Sequence, residues 1–160
     1  MILPDVLEPG LRAVLCGSAA GAVSARVGAP YAGPGNKFWD VLHRMGLTDR
    51  RLTPQEFALL PRYGLGLTDL CKTASGADAT LPRAADDVSG LRAKLAEYEP
   101  RVVAFIGRRA ARVVLGRPVA PGPQPERFGP TAVWVLPSTS GLAVGHWDEA
   151  PWRAFAAALA

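Results

Sequence analysis

The chain has 160 residues, of which 49% are hydrophobic and 20% charged, so it is long enough to bury a core, and we expect a single domain over residues 1–160. No run approaches the roughly 18 apolar residues of a membrane span, and the N-terminus lacks the charged start and apolar stretch of a secretory signal, which favours a cytoplasmic protein that does not bind membranes. Two cysteines and two histidines cannot build a clustered zinc or iron–sulfur centre, whereas the net charge of +4 permits binding to a phosphate backbone without requiring it.

Short apolar runs alternate along the chain with segments of helical spacing. Strands are predicted at residues 12–17, 64–70, 101–107 and 132–136. Apolar side chains that recur every three or four residues predict the helices, at residues 38–45, 53–64, 88–98, 108–116 and 152–159. This alternation is typical of parallel strands joined by crossover helices.

Two of the remaining segments are predicted to be loops. Residues 72–82 are small and polar, which indicates a surface loop, and residues 118–130 contain five prolines, which indicates a stiff loop. Asp86 and Asp87 precede the helix 88–98, and we expect both to cap its N-terminus.

Open parallel sheets bind ligands where their strands end, so the segments after the predicted strands are the candidates for a site. The first of them, residues 17–21, is rich in small residues but lacks both the dinucleotide fingerprint and the Lys-Ser/Thr pair of a phosphate-binding loop. Downstream, Tyr31 lies on a Pro-Gly loop that leads to Asn36 at a helix start. An aromatic ring at this place can stack on a flat ligand or pack in the core, and spacing alone leaves both possibilities open.

The loop after the last predicted strand reads PSTSGL, residues 137–142. It carries one large apolar side chain, Leu142, at its tip. A leucine there can cover the core, or it can enter a base stack as a wedge, as in proteins that bend DNA or extrude a base.

Taken together, these segments resemble the mismatch-specific uracil-DNA glycosylases, the group that includes thymine-DNA glycosylase, within the uracil-DNA glycosylase superfamily. The resemblance runs from about Leu7 to the C-terminal helix, and its anchors are LEPGLR, CGSAAG, PYAGPGNKFW, GLTDL, the IG after the third strand, and WVLPSTSG. With the alternation described above, it implies a three-layer α/β/α sandwich with a four-stranded, mainly parallel sheet. It also implies a monomer that acts on DNA containing uracil or a G·U or G·T mismatch, with no metal or organic cofactor.

The first motif departs from the pattern of that family. There it usually reads Gly-Ile-Asn-Pro-Gly, and its Asn positions the water that attacks the sugar. Here Ala19 stands in place of the Asn and Ala20 in place of the Pro. Alanine has no side-chain donor or acceptor, so this part of the mechanism cannot be carried over.

The resemblance implies that a flipped base is held mostly by the backbone. Amides around Ser18 and Ala19, with that of Tyr31, would bind the carbonyls of uracil, and the Tyr31 ring would stack on the base. Ser138 would replace the Asn that is common at the start of the final motif. Preorganised amides suit a reaction that places negative charge on the leaving base.

A DNA-binding role for the last loop follows from the same resemblance. Ser140, Gly141 and Leu142 would contact the duplex, with Leu142 filling the gap that the flipped base leaves. His146 follows this loop in the sequence, and from that position it could contact a phosphate.

The group that activates water must then lie elsewhere, and Asp69, near the end of the predicted strand 64–70, is the candidate catalytic residue. A carboxylate can accept a proton from water and can stabilise a cationic sugar. Strand-end aspartates commonly cap a turn or pair with an arginine, so the assignment depends on the loss of the Asn at position 19.

We therefore expect a DNA glycosylase that extrudes uracil, preferably opposite guanine, and hydrolyses its bond to deoxyribose to leave an abasic site. Two alternatives remain open. One is a non-catalytic module that recognises damaged or mismatched DNA and that lost its activity when Ala19 replaced the Asn. The other is an enzyme that acts on free nucleosides and needs no DNA.

Overall fold

The computed structural model describes residues 1–141 and 147–160. Within these residues a five-stranded sheet lies between two layers of helices. The strands are β1 (Ala13–Gly17), β2 (Leu65–Asp69), β3 (Val102–Ile106), β4 (Gly122–Phe128) and β5 (Thr131–Leu136). The helices are α1 (Ala22–Val27), α2 (Phe38–Arg44), α3 (Val88–Tyr98), α4 (Arg108–Leu115) and α5 (Ala150–Leu159), with 3₁₀ segments at Pro54–Tyr63, Asp78–Thr80 and Arg83–Ala85.

The sheet is mixed, and its strand order is β2-β1-β3-β5-β4. β1 pairs in parallel with β2 and β3, β3 pairs in parallel with β5, and β4 runs antiparallel to β5. The expectation of a four-stranded, mainly parallel sheet is therefore wrong, because a fifth strand closes one edge in the opposite direction. The carboxyl ends of β2, β1, β3 and β5 still meet at one edge of the sheet.

The missed strand, β4, lies in the proline-rich segment that was predicted to be a stiff loop. Its residues are alternately half-buried and exposed, and Pro123 pairs with Trp134 across the ladder. The register of the β4–β5 ladder shifts between Gln124 and Arg127, and Pro125 lies within this irregularity. Prolines are tolerated here because an edge strand has one side on which no N–H group needs a partner.

Both faces of the sheet are covered, and every residue of β1 and β3 is buried. On one face, α2, α5 and the long 3₁₀ segment contribute a core that includes Phe38, Trp152 and Phe155. On the other face, α3 and α4 pack with side chains such as Leu91 and Leu95. None of the helices in the described part of the chain is long and apolar enough to cross a membrane.

The two aspartates before α3 have different roles. Asp87 is the N-cap, since its side chain accepts a hydrogen bond of 2.9 Å from the Gly90 amide. Asp86 does not cap the helix. Its two carboxylate oxygens each accept a hydrogen bond of 3.0 Å from Arg109 on α4, so the prediction of two caps is corrected to one.

Candidate active site

The candidate site lies at the carboxyl edge of the sheet, where four of the motif segments come together. Asp69 is the last residue of β2 and is paired in register with Gly17, the last residue of β1. Gly107 follows β3, and Ser138 approaches it, since a Cβ built on Gly107 would lie 3.5 Å from the Cβ of Ser138. Along this edge the order is therefore Asp69, Gly17, Gly107 and Ser138.

Gly17 is the point at which two functional side chains converge. A Cβ built on this glycine would lie 2.7 Å from Oδ1 of Asp69 and 3.0 Å from Oη of Tyr31. The φ of Gly17 is not in the positive region, so the requirement for glycine comes from space rather than from backbone angle. Without a side chain here, the carboxylate and the phenol can both lie over the end of β1.

Tyr31 is held in an unusual conformation. Its φ of 53° is in the left-handed region, which non-glycine residues seldom occupy. One face of its ring stacks on Phe38, with centroids 3.9 Å apart and an angle of 10° between the planes. One face of the Tyr31 ring is therefore packed in the core. Stacking of its other face on a base stays a prediction.

The hydroxyl of Tyr31 is buried and has no hydrogen-bond partner within residues 1–141 and 147–160. Burial, and next the negative charge of Asp69, raise the pKa of this phenol, so it is a neutral O–H group. A buried hydroxyl without a partner costs about 1–3 kcal/mol. Packing on Phe38 does not account for this group, whereas a polar ligand or water at the site would satisfy it.

Asp69 is half-buried, and its carboxylate makes no hydrogen bond or ion pair with the described residues. It therefore neither caps a turn nor pairs with an arginine there, which were the structural alternatives. Burial raises its pKa to about 6, and the nearby carboxylate of Asp5 adds to the increase, while Lys72 and Lys94 oppose it. Such a group is ionised at neutral pH yet basic enough to accept a proton.

The charged side chains of Asp5, Lys72 and Lys94 form a cluster near Asp69 that the sequence did not predict. Asp5 accepts hydrogen bonds from Lys72 Nζ at 2.8 Å, Lys94 Nζ at 2.7 Å and Thr68 Oγ1 at 2.7 Å. Lys72 follows Asp69 by three residues, but no local pattern connects it with Asp5 near the N-terminus. Both lysines are held by Asp5, so neither forms an ion pair with Asp69.

The first motif is held against the chain that leaves β2. Gly17 and Ser18 accept backbone hydrogen bonds of 2.9 Å and 2.7 Å from Leu70 and Cys71. Ser18 is buried, and Ala19, which is half-buried, offers no polar side chain. The assignment of base-binding amides to Ser18 and Ala19 stays a prediction.

The Pro-Gly loop and the last motif are in direct contact. The Lys37 amide donates to the carbonyl oxygen of Thr139 at 2.9 Å. A Cβ built on Gly141 would lie 3.1 Å from the carbonyl oxygen of Pro34, so any larger residue would push the two loops apart by a few tenths of an ångström. The Ser140 amide donates to Ser138 Oγ at 3.2 Å. This contact places Ser138, Ser140 and Gly141 beside the loop that carries Tyr31, whereas Leu142 and His146 lie outside the described residues.

The fold and the site define an α/β protein with a carboxylate and a phenol at the carboxyl edge of its sheet. The model of the Uracil DNA glycosylase superfamily matches residues 4–159, and the chain belongs to this superfamily. It is similar to the solution NMR structure of a candidate uracil DNA glycosylase from Methanosarcina acetivorans, with a TM-score of 0.68 and 25% sequence identity. The match covers 98% of this chain and 96% of the other. Both findings support uracil DNA glycosylase activity.

Proposed function

We propose that this protein is a mismatch-specific uracil-DNA glycosylase of the branch that includes thymine-DNA glycosylase. It extrudes uracil from DNA, preferably from G·U mismatches, and hydrolyses the N-glycosidic bond. It acts as one domain, residues 1–160, and as a monomer in the bacterial cytoplasm. The observation that carries the proposal is the convergence over Gly17 of the Asp69 carboxylate and the Tyr31 hydroxyl, neither of which has a partner within residues 1–141 and 147–160, in a chain of this superfamily.

Asp69 has the catalytic role in the proposed reaction. As the bond between the base and C1′ of the sugar breaks, its negative charge stabilises the oxocarbenium character of the sugar. It accepts a proton from water as the water oxygen forms its bond to C1′. The uracil anion then takes up a proton and Asp69 releases its proton to the solvent, so the products are free uracil and an abasic site.

The leaving base carries the electron pair of the broken bond, and backbone donors stabilise it. The amide of Tyr31 makes no hydrogen bond with residues 1–141 or 147–160 and is available to a carbonyl of the base. With the amides near Ser18 and Ala19 it forms a preorganised set that suits a developing anion. These backbone donors do not depend on the side chain at position 19, whereas the water-positioning task of the missing Asn falls to Asp69.

A panel of oligonucleotides tests the proposal. The pure protein is incubated with DNA carrying U·G, U·A, T·G or single-stranded U, and abasic sites are detected by strand scission. We expect release of uracil to be fastest from U·G. Binding to these substrates without release would support the alternative, a DNA-binding module that lost activity with the Asn at position 19. Release from free deoxyuridine would indicate a nucleoside hydrolase.

The wedge role of Leu142 is tested by Leu142→Ala. We expect processing of the U·G duplex to fall on the order of tenfold, because the gap left by the base is no longer filled and unstacking costs a few kcal/mol. Single-stranded uracil, in which no stack needs filling, should be processed at close to the parent rate. Val27→Ala, which shortens an exposed apolar side chain on α1, is the control. Equal losses on duplex and single strand would show that Leu142 is only structural.

A further inference from the structure

We propose that an arginine-lined cavity beside the candidate site binds phosphate groups of the DNA backbone, and this inference rests on the proposed function. The cavity has a volume of about 660 Å³ and lies between α4 and the chain that joins β2 to α3. Four arginines line it, namely Arg83, Arg108, Arg109 and Arg112.

Three of these guanidinium groups are available to a ligand. Arg83, Arg108 and Arg112 are exposed and form no ion pair or hydrogen bond with the described residues. Asp78 is the one acidic residue that lines the cavity within the described chain, so the unpaired arginines outnumber it three to one. Like charges gathered in this way repel one another unless an anion lies between them.

Arg109 has a different role, since it links the two walls of the cavity. It donates two parallel hydrogen bonds of 3.0 Å to Asp86, and the two side chains are only 11% and 2% exposed. This bidentate pair joins α4 to the segment that carries Arg83. The pair therefore anchors the backbone of the segment that carries Arg83 against α4.

The position of the cavity indicates which anion it binds. α4 begins directly after β3, at the carboxyl edge that holds Asp69, and its positive dipole end points to the same side. The opposite wall of the cavity is formed by the chain segment that follows β2. This segment returns to the end of β2, where the Asp87 amide donates to the carbonyl oxygen of Leu70 at 3.0 Å. Gly76 of this segment also donates to Ala20 of the first motif at 2.9 Å. In the proposed complex, the strand whose base enters the site at Asp69 runs along this edge.

Guanidinium groups bind phosphate oxygens in a bidentate manner, and backbone phosphates supply several anionic groups in a row. A cavity of about 660 Å³ is large enough for a sugar–phosphate unit rather than for a single small ion. Free inorganic phosphate offers the same chemistry, and the test separates the two sources.

The test compares two double variants that each remove two positive charges. Arg108→Gln with Arg112→Gln removes the exposed charges of α4 and leaves the Arg109–Asp86 pair intact. The control, Arg62→Gln with Arg101→Gln, removes two exposed arginines just before β2 and β3, at the opposite edge of the sheet. Affinity for a 20-base-pair duplex containing U·G is measured at several salt concentrations, and folding is checked by thermal unfolding.

We expect the slope of log affinity against log salt to become shallower by about 1–2 in the α4 variant and to stay unchanged in the control. Asp78→Asn, which removes the acidic side chain that lines the cavity, should strengthen binding. Equal slopes in the parent and the α4 variant would overturn the inference while leaving the proposed function intact. An equal change in the control would also overturn it, because the effect would then be one of net charge.

Two further outcomes concern the source of the phosphate and the proposed function itself. If inorganic phosphate at constant ionic strength binds to the parent but not to the α4 variant, while both bind DNA alike, the cavity binds small anions and the DNA assignment is wrong. If the parent's affinity for DNA does not depend on salt, the proposed function fails together with the inference.

Discussion

Asp69→Asn is expected to lower the rate of uracil release by about 10²–10⁴-fold, the range for loss of a general base. Asparagine keeps the shape of the side chain and part of its hydrogen bonding, but it has neither the negative charge nor the basicity that the water and the sugar require. Binding of uracil-containing DNA should be largely retained. Single-turnover rates and affinities on the same U·G duplex separate the two effects.

The pH dependence of the parent gives an independent readout of the same residue. Because the pKa of Asp69 is raised to about 6, the carboxylate is ionised at neutral pH and becomes protonated as the pH falls through 6. The rate should therefore be constant above about pH 7 and fall about tenfold per pH unit well below pH 6. Asp69→Asn should lack this transition. A parent profile that stays flat between pH 5 and 7 would contradict the assignment.

Stability should change in the opposite direction from activity. The folded-state pKa of Asp69 is above its ordinary value of 3.8, so the folded state favours the protonated form. Its contribution to stability is complete below pH 3.8 and is lost as the pH rises through 6. At pH 8 the Asn variant should exceed the parent in free energy of unfolding by about 1–3 kcal/mol, and this gain should vanish near pH 4. Denaturant unfolding at the two pH values measures the difference.

A rescue experiment tests whether Asp69 does the work of the missing Asn. We expect Ala19→Asn, introduced into the Asp69→Asn protein, to restore part of the activity, because the two side chains would act on the same water from neighbouring strand ends. If Asp69→Asn cleaves at close to the parent rate, the backbone amides around the leaving base become the main source of catalysis.

Gly17→Ala is expected to reduce activity by about 10²-fold, which is the effect of a displacement of about 1 Å at reacting groups. The new methyl group would lie 2.7 Å from Asp69 Oδ1 and 3.0 Å from Tyr31 Oη, so both side chains must move. The overpacking should also destabilise the fold by about 1–3 kcal/mol. Rates are measured at a temperature well below the unfolding transition, so that loss of folded protein does not contribute.

The matched control is Gly21→Ala in the same loop. A Cβ at Gly21 meets no atom within 4 Å, and its φ of −66° suits any residue. This variant should keep most of the parent activity. If both variants lose activity equally, flexibility of the loop rather than space over Gly17 is the important property.

Local patterns were sufficient to predict most of the secondary structure. The four predicted strands and the helices near residues 38–45, 88–98, 108–116 and 152–159 are confirmed, because a strand buried on both faces is apolar throughout and a helix buried on one face repeats every three to four residues. The segment 53–64 is a 3₁₀ helix, and the short helix α1 was not predicted. The superfamily is also confirmed, since its motifs are contiguous segments. The roles of Leu142 and His146 stay predictions.

Other features depend on contacts between distant parts of the chain. The proline-rich segment forms β4 because an open sheet edge tolerates Pro123 and Pro125, and no local pattern shows which strand is at the edge. Asp86 and Asp87 look alike in the sequence, yet one faces Arg109 across the fold while the other caps α3.

The amino-acid sequence by itself determined which residue types reach the strand ends, including Asp69 and the alanine at position 19. Only the tertiary structure decided that Asp69 has no ion-pair partner among the described residues, that its pKa is raised, and that Gly17 leaves room for Tyr31 beside it. The physical reason is that desolvation and close approach depend on the three-dimensional arrangement of several strands and loops. A motif specifies the order of side chains along one segment, but not how far each of them is removed from water.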